Sequence, residues 1–461
     1  MTATRSVAED LVQLVGADRV SSDDATREAY ARDATPLFHR RPDVVVMPTS
    51  TAEVTEVVRY AARTGTPIVP RGAGSSLCAG SVPLAGGISL VMTRMNAVLE
   101  VSRSELLAVV QPGVTTLTLD EAAGAQGLMF APDPGSRTVS TIGGNIATCA
   151  GGLRGLKYGV TRNYVLGLEV VLGTGEVIRT GGRLVKDVAG YDLTRLLTGS
   201  EGTLGVITEA TVGLLPRPAV ASYGLAYFAD LAGASTAVDA IVGAGILPAT
   251  LEFLDNTCIR AVEDFAALGL DTTAGALLLF GDDGELDTVE RTVARMAQVC
   301  SDVPSCREVT LAEDVAASEA LLAARRCSLP ALARLGTLTL LEDVSVPRPQ
   351  MPGAVARIAE IGERYGITMG TFGHAGDGNL HPTAVVDADD PAAVEAGHAA
   401  FAEVFQLAID LGGTISGEHG IGAAKLPYLG ARLGETHLGV LRRVKAAFDP
   451  AGILNPGKLG S

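Results

Sequence analysis

Two short glycine-bracketed stretches hold the side chains best suited to chemistry. Residues 373–382 read GHAGDGNLHP and residues 416–422 read SGEHGIG, which places His374, His381, Glu418 and His419 in two segments of a chain with six histidines in all. Imidazole nitrogens with a carboxylate oxygen form a donor set for a divalent metal, and a metal site that does chemistry keeps one position open. Such a site uses about three protein ligands, so one of these groups is left over to move protons. The glycines permit tight turns and a close approach to a small ligand. Any one of these histidines alone reads as an ordinary packed or surface residue; their grouping is what points to a metal.

The elements that must position these residues follow from periodicity. Residues 51–63 carry apolar groups at helical spacing behind Ser50 and Thr51, with Glu53 and Glu56 in the early turns. TPIVP (66–70), GISLVMT, AVLEVS and LLAVVQPGV read as strands, TTLTLDEAAGAQ (115–126) as a helix, and residues 164–180 as two strands hinged at GTGE. GTLGVITEATVGLLPRP closes the first half with another strand, and Pro216 and Pro218 mark the boundary. Helical patterns follow at 234–243, 285–299, 312–326, 354–365 and 391–411, with the apolar strands TLEFL, GALLLFG, TLTLLEDVSV and TMGTFGHAG between them. This order predicts an open antiparallel or mixed sheet with helices on one face. A last helix over 434–448 precedes DPAGILNPGK.

The first half carries two glycine-rich loops. Residues 70–80 read PRGAGSSLCAG, where the backbone N–H groups of Gly72, Ala73, Gly74, Ser75 and Ser76 form a candidate anion nest. Residues 133–152 read DPGSRTVSTIGGNIATCAGG. Two such loops suit a dinucleotide held in an extended pose. They do not make a Rossmann fingerprint: the third glycine is out of register, GSVP opens a helix poorly, and no acidic residue follows about twenty positions on.

Bulk properties narrow the function. A length of 461 residues suits two or three domains. The formal net charge of −16 argues against a nucleic-acid partner, which needs a basic footprint. It also argues against long-range attraction of an anionic substrate, so an acid substrate requires local arginines. No apolar stretch is long enough to span a bilayer. MTATRSVAED lacks the apolar segment of a signal peptide, so a cytoplasmic protein is expected. The six cysteines (Cys78, Cys149, Cys258, Cys300, Cys306 and Cys327) form no C-x-x-C, which argues against an iron–sulfur cluster or a zinc knuckle.

Longer strings carry a family resemblance. PRGAGSSLCAG, APDPGSRTVSTIGGNIATCAGG, GLKYGVTRNYVLGLEVVLGTGEV, KDVAGYDLTRLLTGSEGTLGVITEATV, GHAGDGNLHP, SGEHGIG and FDPAGILNPGK occur in order from about Arg41 to Lys458. Together they resemble the FAD-linked oxidases of the vanillyl-alcohol-oxidase superfamily, with the PCMH-type FAD-binding domain. The most similar branch holds the FAD-linked glycolate oxidases, the D-lactate dehydrogenases and D-2-hydroxyglutarate dehydrogenase.

The resemblance implies an α+β fold. A two-subdomain FAD-binding domain (1–216) precedes a sheet-plus-helices cap or substrate domain (217–410), and a C-terminal segment (411–461) returns to the flavin. It implies that Pro70 and Arg71 to Ser76 cradle the pyrophosphate and that Pro132, Asp133, Thr141, Gly144, Asn145 and Thr148 line the isoalloxazine and ribityl side. Gly151, Tyr158, Gly159, Glu201, Gly205 and Ile207 would complete the groove, and Asn455 would reach the flavin from the tail. Covalently flavinylated relatives carry a histidine in the first loop; RGAGSS has none, so the FAD is expected to be non-covalent. His374, His381 and Glu418 match the family's ligands for a divalent metal, zinc or manganese, and His419 matches its catalytic base.

The chain also departs from parts of that family. Thr383 stands where the D-2-hydroxyglutarate enzymes have asparagine, and no tryptophan precedes the arginine stretch. Arg325 is carried over as the substrate carboxylate clamp; Arg326, Arg334 and Arg348 are given no role.

The activity implied is oxidation of a small D-2-hydroxy acid, such as glycolate or D-lactate, to the 2-oxo acid by hydride transfer to flavin N5. A metal would polarise the hydroxyl, His419 take its proton, and Arg325 fix the carboxylate. Electrons would leave to a quinone, an electron-transfer flavoprotein, a cytochrome, partner subunits or oxygen. The assembly expected ranges from a homodimer to a multi-subunit complex, in the cytoplasm or peripheral to the inner face of the membrane. Two other classes stay open: a flavoprotein electron-transfer subunit without its own substrate, and a non-redox FAD-dependent transferase of the same fold.

Overall fold

Short β-branched runs separated by glycine turns set the architecture of the first half. The structure, a computed structural model, describes residues 6–461; the start of the MTATRSVAED reading, residues 1–5, lies outside the described residues. Internal contacts divide the chain into two units. The first takes the chain up to Gly151, then Val160–Arg217 and Glu418–Ser461. The second takes Gly152–Gly159 and Pro218–Gly417.

In the first unit, Val44–Val46, Ile88–Val91 and Ile68–Arg71 pair in parallel, and Val20–Ser21 adds antiparallel to Val44–Val46. Parallel strands need a crossover, and the helix Thr51–Thr64 supplies it. Ser50 caps its start by accepting from the Glu53 N–H, and Gly65 ends it in the left-handed region at φ 69°. Val54, Val57, Val58 and Ala61 of that helix share one core with Val44, Ile68, Ile88 and Leu90. Ile453 and Leu454 join the same core, and Ile68 bridges Leu454 in parallel. This is how the tail enters the unit.

The second sheet of this unit is antiparallel, in the order Val98–Ser102, Leu107–Val110, Val206–Gly213, Val165–Val171, Val177–Gly181. Strand Val206–Gly213 alternates buried and half-buried residues along its length, as a strand with one face packed should. Between Arg71 and Val114 the only helical turn among the described residues is the short 3-10 turn Met92–Arg94. The first glycine loop therefore does not open a helix, in keeping with the reading against a Rossmann fingerprint.

The second unit is built on an eight-stranded antiparallel sheet. Its order is Cys306–Leu311, Val220–Phe228, Ala276–Gly284, Thr250–Asp255, Thr368–His374, Asn379–Val386, Leu338–Leu341, with Val344–Ser345 also on Asn379–Val386.

The expectation of helices on one face needs correction. Leu254, Leu277, Leu279 and Phe372 pack with Ile259, Val262, Leu322 and Leu332 from helices on one side. Neighbouring positions meet other helices: a Cβ at Gly233 would approach Phe228 at 3.3 Å, and one at Gly397 would lie 2.9 Å from Leu340. Successive side chains on a strand point to opposite faces, so both faces are covered. That agrees with the central strands: Thr250–Asp255 and Asn379–Val386 are buried at every position.

Among the described residues no helix is long and apolar enough to cross a membrane.

Candidate flavin and metal sites

Unsatisfied backbone groups and close glycine contacts define the first candidate site, in the first unit. The loop after strand Ile68–Arg71 is half-exposed. Its Ser76 Oγ accepts from Cys78 N at 3.4 Å and Gly80 N at 3.1 Å, which folds the loop back on itself. The N–H groups of Ala73, Gly74, Ser75 and Ser76 donate to no protein acceptor among the described residues. They are left open to an anionic ligand.

Arg71 shapes the loop from beneath. Its Nη1 donates to Arg32 O at 2.7 Å, its guanidinium lies 5.3 Å from the Tyr30 ring centroid, and its buried Nε has no protein acceptor. Gly74 sits directly over that guanidinium at φ 78°, where a side chain would collide.

The second loop lies against the first. A Cβ on Gly72 would overlap Thr141 Oγ1. Thr141 in turn caps the helix Ile142–Thr148 by accepting from Gly144 N at 3.2 Å. Asn145 is buried and donates to Thr116 Oγ1 at 2.7 Å, and the Thr148 hydroxyl donates to Gly144 O. Pro132 is buried, and Asp133 accepts from Arg137 at 3.0 Å. Gly205 lies against Val170 and Ile207 is half-buried on the strand beyond.

Glu201 and Asn455 tie the remaining segments to these loops. Glu201 N donates to Ala147 O, and a Cβ on Gly202 would meet Pro70 at 3.1 Å. The Asn455 amide donates to Gly80 O at 3.0 Å and to Glu201 O at 2.7 Å. The Glu201 carboxylate accepts from Ile421 N and Gly422 N, each at 2.7 Å. Burial pushes this carboxyl up, against the pull of those N–H groups.

Sequence reasoning missed the buried ammonium groups that hold the tail. Lys445 donates to Thr203 O, Leu454 O and Asp449, and Lys458 donates to Val82 O at 2.9 Å. Burial lowers the Lys458 pKa to about 8. Tyr158 and Gly159, read as part of the cofactor groove, belong to the second unit, where the Tyr158 hydroxyl donates to Asp283 at 2.6 Å.

The second candidate site rests on the strand pair Thr368–His374 and Asn379–Val386. His374 ends the first strand and His381 lies near the start of the second, opposite Phe372. Both imidazoles are buried, with ring centroids 5.2 Å apart and planes at 88°. Glu418 follows Gly417 directly, and ligand atoms of His374, His381 and Glu418 lie within 4.8 Å of one another.

The segment around Glu418 is fixed on both sides. Before it, Ser416 Oγ and Gly417 N donate to Asp343 Oδ2 at 2.8 and 2.9 Å. After it, His419 O accepts from the Cys78 thiol at 3.2 Å. Gly420 and Gly422 then turn at φ 91° and 50°. A Cβ on Gly151 would stand 2.5 Å from Glu418 Oε2, so glycine there leaves room for the carboxylate. Two imidazoles and one carboxylate fit a divalent ion with open positions.

Arg325 lies in the last turn of the helix Val315–Arg326. Its Nε donates to Glu252 Oε2 at 2.7 Å, and the other Glu252 oxygen meets His374 Nδ1 at 2.6 Å. Sequence reasoning missed Glu252 and Asp343. The signal present was a lone carboxylate in the middle of the apolar strand TLEFL, a residue type almost never fully buried unless paired.

The match to known families falls on both units. Residues 42–181 match the FAD binding domain family, and residues 217–459 match the family described as FAD linked oxidases, C-terminal domain. The chain belongs to the FAD-linked oxidases.

This FAD-linked oxidase is 48% identical to the glycolate oxidase subunit GlcD of Bacillus subtilis (strain 168), over 99% of this chain and 97% of that one. It is 37% identical to the D-lactate dehydrogenase of Archaeoglobus fulgidus, over 94% and 95% of the two chains. Its fold is that of p-cresol methylhydroxylase, with a TM-score of 0.83 at 18% identity, covering 98% of this chain and 96% of that one. It is thus an FAD-linked oxidoreductase with a PCMH-type flavin domain. The open N–H groups of residues 73–76 and the unpaired Arg71 Nε fit the cofactor's anionic pyrophosphate.

Proposed function

We propose that this FAD-linked oxidase oxidises a small D-2-hydroxy acid to the 2-oxo acid with the help of a divalent metal. The observation that carries the reading is the grouping of His374, His381 and Glu418 within 4.8 Å in a chain whose other half is an FAD-binding domain. The names of its relatives, a glycolate oxidase subunit and a D-lactate dehydrogenase, supply the substrate class.

Bound FAD supplies a two-electron acceptor for the hydrogen on the substrate's C2, and a divalent ion on His374, His381 and Glu418 supplies a Lewis acid for the hydroxyl oxygen. His419 takes the hydroxyl proton as C2 gives up its hydride, so the alcohol becomes a ketone or aldehyde with charge and electrons balanced. Arg325 holds the substrate carboxylate through its terminal nitrogens, because Nε is already engaged by Glu252. A guanidinium and a metal together overcome a net charge of −16, since local attraction outweighs distant charge screened by salt. The electrons taken from C2 would leave this chain to a partner; the description of the Bacillus relative as a subunit favours a protein partner.

The test is anaerobic mixing with a panel of D- and L-2-hydroxy acids. Rapid bleaching of the oxidised flavin by a D-acid, and slow or no bleaching by its L-isomer, is expected. A flavin that no 2-hydroxy acid bleaches overturns the reading.

The flavin itself is held without a covalent bond. The loop PRGAGSSLCAG has no histidine; its nearest nucleophile, Cys78, is buried, and burial pushes its thiol pKa up. Acid or heat precipitation is therefore expected to leave yellow flavin in the supernatant. Absorbance that stays with the pellet would show a covalent link.

A further inference from the structure

The buried carboxylate of Glu252 stands at the centre of a closed ring of side-chain contacts in the second unit. Glu252 and His374 are direct partners across two antiparallel strands, and so are Phe372 and His381. Directly opposed residues share a face, so all four project from the same side of the sheet. Glu252 Oε1 meets His374 Nδ1 at 2.6 Å, and Oε2 accepts from Arg325 Nε at 2.7 Å. The Arg325 guanidinium lies 4.6 Å from the Phe372 ring centroid, the Phe372 ring 5.4 Å from that of His381, and the His381 ring 5.2 Å from that of His374. Each member is thereby held by two others.

A carboxylate that is 1% exposed is costly to bury unless its oxygens are satisfied, and here each oxygen has one partner. A guanidinium has only donors, so Glu252 is an acceptor on that side. An ionised carboxylate accepts on both oxygens, so His374 Nδ1 must be the donor. Neutral imidazole carries one N–H, which leaves the lone pair of His374 on Nε2, the form that ligates a metal. On the other side, Glu252 takes up Arg325 Nε, and the Phe372 ring fixes the guanidinium plane. The terminal nitrogens, which donate to no protein acceptor among the described residues, remain as a fork suited to a carboxylate.

We infer that Glu252 is a positioning residue that joins the metal-binding and carboxylate-binding halves of the site. It sets the tautomer of His374 and aims Arg325 at the same time. The inference rests on the reading of His374, His381 and Glu418 as metal ligands. It goes further by making metal affinity and substrate affinity depend on one buried side chain that touches neither ligand.

The test uses the full-length flavoprotein, with Glu252→Gln as the first variant. An amide has one acceptor end, so either His374 or Arg325 must meet an N–H2 group. Affinity for Zn2+ or Mn2+ alone, measured by competition with a chromogenic chelator, is expected to fall by about 10- to 100-fold. KM for the 2-hydroxy acid should rise, while FAD content and circular dichroism stay at parental values. Arg325→Met should raise KM while changing metal affinity by less than about threefold, a split that a general loss of packing would not give.

If Glu252→Gln does not fold, Glu252→Asp replaces it: the carboxylate is kept but is too short to reach both partners, and a partial loss of metal affinity is expected. Metal affinity within twofold of the parent in whichever of these variants folds overturns the inference. A parent protein that binds neither ion overturns the ligand reading as well, so the two failures are told apart by the parent alone.

Discussion

His374→Ala and His381→Ala are each expected to reduce turnover by about three orders of magnitude or more while the FAD spectrum persists. The two histidines and the flavin loops lie in different units, so losing an imidazole leaves the N–H groups of residues 73–76 and the Gly72–Thr141 contact untouched. What is lost is the Lewis acid. Polarising an oxygen is worth several kcal/mol of charge stabilisation, and every 1.36 kcal/mol is tenfold in rate. Treatment with a strong chelator should reproduce the loss in the parent, and zinc or manganese should restore activity. The checks are metal content by mass spectrometry, flavin absorbance and steady-state rate on one sample. Full activity in a metal-free preparation with its flavin intact would remove the metal from the mechanism.

The second large effect separates two adjacent residues. With His419 as the base, His419→Ala should slow anaerobic flavin reduction by about two to four orders of magnitude, the usual weight of a positioned general base. Its metal content should stay near the parent's, because His374, His381 and Glu418 remain. Glu418→Ala should instead lose the metal, because only two imidazoles are left and no carboxylate offsets the ion's charge. Neighbouring residues on an extended segment point to opposite sides. The segment here is pinned by Asp343 at Gly417 and by Glu201 at Ile421 and Gly422, with Gly420 in a conformation that bends the chain. Stopped-flow reduction and metal analysis of both variants decide the assignment. Metal loss in His419→Ala with retention in Glu418→Ala would exchange the two roles.

The sequence alone determined the parts of this protein that depend on local pattern. The helix Thr51–Thr64 was legible because Ser50 caps it and Val54, Val57 and Val58 recur at helical spacing. The strands either side of Gly175 were legible from their apolar runs and the turn between them. The two glycine loops and the clustered histidines were visible as spacings, and ordered strings of that length carried the family. Each of these signals lies within a few residues of chain.

Contacts between distant segments were decided only by the tertiary structure. Whether helices cover one face of the second sheet or both depends on which strands pair, and the central strands proved buried on both faces. The unit to which Tyr158 belongs was not legible in its string: the short segment Gly152–Gly159 packs with the second unit through Lys157, Tyr158 and the Asp282–Asp283 pair. Glu252 was hidden for the same reason. In TLEFL it is one charge among apolar neighbours, and it gains meaning only when strand pairing sets it opposite His374 and a helix end brings Arg325 to its other oxygen. Spacing along a chain records which side chains can share a turn or a face. Which buried charge finds which partner, across 122 residues in the case of Glu252 and His374, is fixed by the fold, because a buried carboxylate must be satisfied by whatever donors packing brings to it.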